Sequence, residues 1–368
     1  MEPKKPLLKR KIIIIPSVIL IVLIVLASVT YFIVHGYINK MNIVTDSGVV
    51  TPGPGSELAD YDLGDALLPE EDKTIPDSSE EEVSSAEEKI KSNLQEGSIP
   101  VLYDKNVFNV LLIGGDSRKP GGAARSDAMI LVSINKSSKK ITVTSLLRDI
   151  YLEIPGKQNN RLNAAYAFGG ADLLLDTVEQ NFKVKADKYA SIDFYSFMEV
   201  VDAVGGVTID VTEEEIPVIN RYIKELNLLT GQEEKTDFLT APGKLLLNGK
   251  QALGYSRNRY VGNSDFERTA RQRRVLEQIF NQVKDLNILE LKKLFDILLP
   301  QITTNLTEGE IFTLLLSLPS YVSYDIEQWS IPMAHTYTSL RIRGMEVLGI
   351  DFEKNINELH QRAYASIQ

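Results

Sequence analysis

Asn109-Val-Leu-Leu-Ile-Gly-Gly-Asp116-Ser-Arg118 is an apolar run that stops at two glycines and an acid. Such a run reads as a buried strand. Asp116 then stands at the strand's carboxyl end, where open α/β sheets place their ligands. The pattern recurs twice. Arg125-Ser126-Asp127 directly precedes the apolar run Met129 to Ile134, and Ile141-Thr-Val-Thr-Ser-Leu-Leu147 delivers Arg148-Asp149. Further strands are expected near 187–192 and 206–211. Helices are expected near 160–182, 193–204, 247–256, 265–284, 288–299, 307–317 and 351–366. In the last of these, Phe352, Ile356, Leu359 and Ala363 fall on one face. Alternating strands and helices predict an α/β sandwich, a mixed central sheet flanked by helices. Residues 321–350 alternate polar and apolar positions and are expected to add edge strands. The polar stretch 213–241 reads as an insertion at the rim.

Downstream, Arg257-x-Arg259 is followed by Asp265-x-x-Arg268-x-x-Arg271-Gln272-x-Arg274. An arginine side chain cannot be deprotonated, and its planar fork matches phosphate oxygens two at a time. On a helix starting near Asp265, positions 268, 271 and 272 fall at i, i+3 and i+4, on one face. A solvated basic face is the ordinary explanation of an arginine run. The carboxylates at the strand ends weigh against it here, because two acids and several arginines together suit a divalent metal bridging a diphosphate.

Seven ordered segments resemble the LytR-CpsA-Psr family of cell-envelope enzymes of Gram-positive bacteria. They are NVLLIGGDSR (109–118), RSDAMILVSIN (125–135), SLLRDIYLEIPG (145–156), RLNAAYAFGG (161–170), DFYSFMEVVDAVGGVTIDV (193–211), LNGKQALGYSRNRY (247–260) and DFERTARQRRVL (265–276). Together they cover roughly 105–285. Arg161 stands where the family usually has lysine, and Gly254 where alanine is common. The resemblance implies transfer of a phosphoglycosyl polymer from a polyprenyl-diphosphate carrier to peptidoglycan, usually onto the muramic acid 6-hydroxyl, with polyprenyl monophosphate released. It further implies that Asp116 and Asp127 hold Mg²⁺ (or Mn²⁺), and that Arg148, Arg257, Arg259 and Arg268 clamp the diphosphate with help from Gln272. Arg118, Arg125 and Arg271 are further clamp candidates, and Asp265 would orient Arg268 or Arg257. Asp116, Asp127 and Asp149 all remain open as the general base. The apolar helices 162–178 and 194–204, with Tyr166, Phe168, Phe194 and Phe197, read either as core or as the wall of a lipid tunnel. Two other activities share these residues: a carrier-lipid pyrophosphatase using water, and a receptor that binds polyprenyl phosphates without turnover.

The chain start sets the expected address. Residues 1–11 form a basic tail with Lys4, Lys5, Lys9, Arg10 and Lys11, followed by the uncharged run Ile12 to Val34. At 1.5 Å per residue that run reaches roughly 34 Å, enough to cross a bilayer core. Basic flanks stay cytoplasmic. A single signal anchor over 12–35 would therefore place the rest of the protein outside the cytoplasmic membrane. Residues 36–100 hold Pro52-Gly-Pro-Gly and an acidic stretch, and read as a disordered linker with room for a short helix over 86–94. The catalytic domain is then 101–368. Between 57 and 96 the local charge is −11, against −10 for the whole 368-residue chain. The site therefore lies in a chain that is otherwise about neutral. The basic residues form no stripe and no reading helix, so nucleic acid is not an expected partner. There is no cysteine, which excludes thiol chemistry, and the three histidines are far apart, which leaves no serine-hydrolase triad.

Overall fold

Strand β3 (Ser126–Asn135) has buried side chains on both of its faces, as expected of a strand covered from two sides. Because successive residues point to opposite faces, Met129 and Leu131 enter one core with Leu111 and Ile113. Ile130 and Ile134 enter another with Ile141, Val143 and Tyr321. The computed structural model describes residues 35–36, 40–44, 76–95, 97–115, 126–285 and 288–364.

The central sheet has seven strands in the order β1-β10-β7-β2-β3-β4-β11. These are β1 (Asn42–Ile43), β2 (Val107–Gly115), β3, β4 (Lys140–Leu146), β7 (Tyr189–Asp193), β10 (Thr303–Thr304) and β11 (Asp325–Ile331). β3 runs antiparallel to both β2 and β4, while β7 is parallel to β2 and β11 is parallel to β4. The sheet is therefore mixed. The carboxyl ends of β2, β4, β7 and β11 share one edge with the start of β3, and the motifs gather at that edge.

One face is covered by α1 (Glu80–Leu94), α2 (Leu162–Phe182) and the closing helix Phe352–Tyr364. Their buried residues Ile90, Leu174, Val178, Ile356 and Leu359 join one core. The predicted helix over 160–182 is broken at Gly169–Gly170. Gly170 takes φ 66°, a conformation that side chains rarely adopt. A second, smaller core lies beyond the sheet edge. Its frame is the antiparallel pair β8 (Val207–Val211) and β9 (Gly243–Leu247), with α3 (Phe194–Ala203), α4 (Glu215–Leu229), α5 (Gly249–Arg257) and α6 (Ser264–Asp285) around it. The strand expected near 206–211 thus exists, but outside the main sheet. Of the expected edge strands, β11 joins the sheet and residues 337–350 form a separate hairpin.

Two expectations require correction. The linker reading of 36–100 fails over 80–94: the short helix allowed over 86–94 is present but begins at Glu80, with a capping box between Ser79 and Glu82. Val83, Ala86, Ile90 and Leu94 recur every three or four residues, and they bury against the core. Average composition hid that stripe, and the acids in the first turn favour the helix dipole. Likewise 213–241 contains α4, whose Ile219 and Ile223 are fully buried. A Cβ added at Gly254 would come within 3.0 Å of the Ile219 carbonyl. The glycine that departs from the family therefore lets α5 approach α4 closely. The basic tail 1–11 and most of the expected span 12–35 lie outside the described residues. Among the described residues no helix is long and apolar enough to cross a membrane.

Ile90→Ala should lower the free energy of unfolding by about 2–5 kcal/mol through the cavity it leaves. Urea denaturation checks this, and a change near zero would return 80–94 to the status of a tether.

Candidate anion-binding site

The β3–β4 register pairs Ile130 with Ser145. Beyond that last pair, Asp127 sits near the start of β3, where the ladder with β2 is bulged, and Arg148 lies in the turn that follows β4. The two side chains meet: Arg148 Nη1 lies 3.1 Å from Asp127 Oδ1. Arg148 Nε lies 3.4 Å from Asp265 Oδ2 and 3.5 Å from Asp149 Oδ2. Asp265 in turn receives Arg268 Nη1 at 3.0 Å, and Asp149 faces Arg161 at 3.6 Å. Arg148, Arg268 and Asp265 are all buried. Buried charges are costly unless each finds a partner, and the alternation of signs provides those partners.

The arrangement leaves some polar atoms over. Two donor nitrogens, Arg268 Nε and Nη2, and one acceptor, Gln272 Oε1, are buried without a hydrogen-bond partner. An arginine this deeply buried with two unused donor nitrogens marks the place for an anionic ligand.

The carboxyl groups respond differently to this environment. Burial pushes Asp127 up, but Arg148, Arg268 and Arg257 outweigh it and hold the group below its ordinary value. Asp149 is pushed up to about 7, first by burial and then by Asp265, against the pull of Arg148 and Arg161. Asp265 goes down despite burial, because Arg268, a hydrogen bond from Asp149 and Arg148 favour its anion. The protonated form is thus favoured at Asp149 and the ionised form at Asp265.

Two more predicted arginines face this cluster from the second core. Arg257 ends α5 and lies between two rings, 4.7 Å from the Tyr222 centroid and 4.8 Å from that of Phe194. Arg259 lies 5.5 Å from the Tyr260 centroid and acts electrostatically on Asp265. Arg148, Arg257, Arg259, Arg268, Asp127 and Asp265 are therefore brought together.

Arg271 is not part of that group, which corrects its expected place in the clamp. It is buried facing the other way, with Nε donating to Glu215 Oε1 at 2.7 Å and Nη1 and Nη2 donating to the carbonyls of Asn258 and Val261. It braces from behind the loop that carries Arg259. Helical spacing put it on the face of Arg268, but three buried acceptors outweigh that geometry. Asp116, Arg118 and Arg125 lie outside the described residues. The sequence reading had Asp149 only as one of three open bases and not as a neighbour of Asp265, and it missed Tyr222, for which a lone aromatic in a polar stretch gave no signal.

Among the described residues no group of three or more His, Asp or Glu side chains forms a metal cage. Asp127 nevertheless suits a hard cation: it is ionised, and only its Oδ1 is engaged by Arg148. Magnesium is commonly held by one or two carboxylates plus phosphate oxygens and water.

The model of the LytR_cpsA_psr family matches residues 73–362. The chain belongs to this family. Among its relatives, the "Polyisoprenyl-teichoic acid--peptidoglycan teichoic acid transferase TagU" of Enterococcus faecalis is 40% identical over 190 residues, which is 50% of this chain and 57% of that protein. The chain thus spans little more than half of that relative. The regulatory protein MsrR of Staphylococcus aureus is 28% identical over 260 residues, 70% of this chain and 74% of its own. The solved structure of TagT bound to LI-WTA matches with a TM-score of 0.57 at 27% identity, covering 72% of this chain and 94% of that one. TagT with bound octaprenyl pyrophosphate lipid matches at 0.53 and 26% identity over the same shares. The mixed sheet flanked by helices is the architecture of these family structures.

The family site carries its own pH signature. Asp149 binds its proton more tightly when folded, so its contribution favours folding below its ordinary value and is lost as pH rises through about 7. Wild-type stability should fall between about pH 4 and pH 7, by at most about 1.4 kcal/mol per unit, and level off above that. Asp149→Asn, which keeps a donor for Asp265 without the charge, should be flatter over that window. Equal slopes in thermal melts of the two proteins would place the proton elsewhere.

Proposed function

We propose that this protein transfers a phosphoglycosyl polymer from a polyprenyl-diphosphate carrier to peptidoglycan. The observation that carries the reading is Arg268, buried with two unpartnered donor nitrogens beside an Arg148 already held by carboxylates. A diphosphate supplies the paired anionic oxygens that such donors need. Arg257 and Arg259 reach the same place from the second core, and Gln272 adds a polar contact. The names of the relatives support the same chemistry: TagU is called a teichoic acid transferase, and TagT was solved with a polyprenyl pyrophosphate.

In this reading the acceptor hydroxyl of peptidoglycan attacks the phosphorus nearest the glycan. The bond from that phosphorus to the bridging oxygen breaks, and polyprenyl monophosphate leaves. Phosphoryl transfer depends on positioning and charge neutralisation more than on covalent help. Arg148 and Arg268 would hold the diphosphate oxygens in a site where burial strengthens their field, and Asp265 fixes the angle between these two arginines. Mg²⁺, held by Asp127 with Asp116, would neutralise charge on the diphosphate. The run 12–34 would anchor the protein in the cytoplasmic membrane with 101–368 outside, as its length and the basic residues before it suggest.

The test uses the full-length protein in detergent with a synthetic polyprenyl-diphosphate glycan, Mg²⁺ and peptidoglycan oligomers. Mass spectrometry should find phosphosugar on the glycan strand. Arg268→Gln should lower turnover by about 10²–10³-fold, as loss of one preorganised donor does, and wild-type turnover in that variant would remove it from the clamp. Asp127→Asn should lose stimulation by Mg²⁺, and a retained response would place the metal elsewhere. Phosphosugar released into water without attachment would make the enzyme a pyrophosphatase.

A further inference from the structure

The arginines do not stop at the diphosphate clamp. Arg221, on the exposed side of α4, lies with its guanidinium carbon 4.4 Å from the Tyr260 centroid and 5.8 Å from that of Tyr222. Tyr260 also carries Arg259 at 5.5 Å, and Tyr222 carries Arg257 at 4.7 Å. Two rings are thus shared by three guanidiniums in one row, which runs from the buried cluster outward to a half-open tyrosine, 43% exposed. The charges of Arg257, Arg259 and Arg221 all act on the Tyr222 hydroxyl.

This row differs from the inner cluster in one respect. There, every arginine meets a carboxylate, whereas among the described residues Arg221 meets only tyrosine rings. Like charges gathered in this way repel each other, and an incoming anion relieves that repulsion. Stacking fixes the plane of the Arg221 guanidinium and leaves its N–H edge to donate. The positions are also rigid. Arg271 ties Glu215, at the start of α4, to the carbonyls of Asn258 and Val261, which flank Arg259 and Tyr260. The Tyr222 hydroxyl donates to the Arg257 carbonyl at 3.2 Å.

We infer that Arg221, Tyr222 and Tyr260 form an outer subsite that binds a phosphodiester of the transferred polymer, next to the diphosphate clamp. The inference rests on the transferase reading and narrows it, because it selects donors whose repeating units carry phosphate over donors with neutral repeats. The row begins at Arg257 and Arg259, which the clamp shares, so a glycan leaving the clamp on that side would run along it. Rings between the guanidiniums suit the sugar or polyol faces between successive phosphates.

The test again uses the full-length protein, with two carrier-linked donors of equal length, one of glycerol-phosphate repeats and one of neutral hexose repeats. Arg221→Ala should lower the preference for the phosphate donor, the ratio of the two kcat/KM values, by roughly tenfold, the scale of one charge-assisted contact. The loss should appear mainly in KM, and Arg221→Lys should recover only part of it. Binding of a soluble glycerol-phosphate trimer, followed by calorimetry, should weaken in parallel and become less sensitive to salt. An unchanged donor ratio together with unchanged trimer affinity would overturn the subsite. If Arg221→Ala instead weakened binding of an anionic muropeptide and spared the trimer, the row would belong to the acceptor. Wild-type protein that transfers neither donor would refute the transferase, while trimer affinity would still decide the subsite.

Discussion

The site depends on the meeting of Asp127, near the start of β3, with Arg148, in the turn that follows β4. Both residues lie beyond the last β3–β4 pair, so the pairing of these strands brings them within reach. A slip of one residue would send every side chain of β3 to the other face and exchange the two cores. Register is therefore held by apolar packing far from the chemistry. With Arg148 fixed there, Asp149 and Asp265 close around it, and Asp265 reaches on to Arg268. No member of this set is stable in the buried state alone. The charged cluster is a consequence of the sheet's packing, and it also fixes the first turn of α6 against that sheet.

The second core supplies the other half of the site through a different device. Arg271 donates from each of its three nitrogens to a protein acceptor, one from α4 and two from the loop 258–261. It thereby carries the placement of Arg257, Arg259 and Tyr260 from α6 into a loop that has no regular structure of its own. Gly254 contributes by allowing α4 and α5 to touch backbone to side chain. The stacked arginines are thus held by a rigid frame, and their planes are set before any ligand arrives.

Much of this was legible because strands and charges obey short-range rules. Apolar runs ending in Asp or Arg located the sheet edge, and i, i+4 spacing placed Arg268 and Gln272 together. The same spacing misplaced Arg271, because helical geometry gives direction only to within a face, and Glu215, over fifty positions away in the chain, decided the outcome. α1 was obscured for another reason: its buried stripe is four residues set among many acids, so composition read as disorder. Gly169–Gly170 gave a sign of the break in α2 that apolar continuity overrode. Arg221 carried no signal at all, since stacking partners distant in sequence leave no periodicity.

The short strand β1 changes what the acidic segment after it does. Asn42 and Ile43 pair with Thr303 and Thr304, and Asn42 Nδ2 also donates to the Pro300 carbonyl. On the far side of the acidic segment, Asp77 Oδ1 accepts from the Gly344 N–H and Ser78 bonds to Arg341. Both ends of residues 45–75 are thus fastened to one folded body. Any anchor upstream of β1 would therefore hold the folded body through the residues just before Asn42, and the acidic segment would add nothing to its reach.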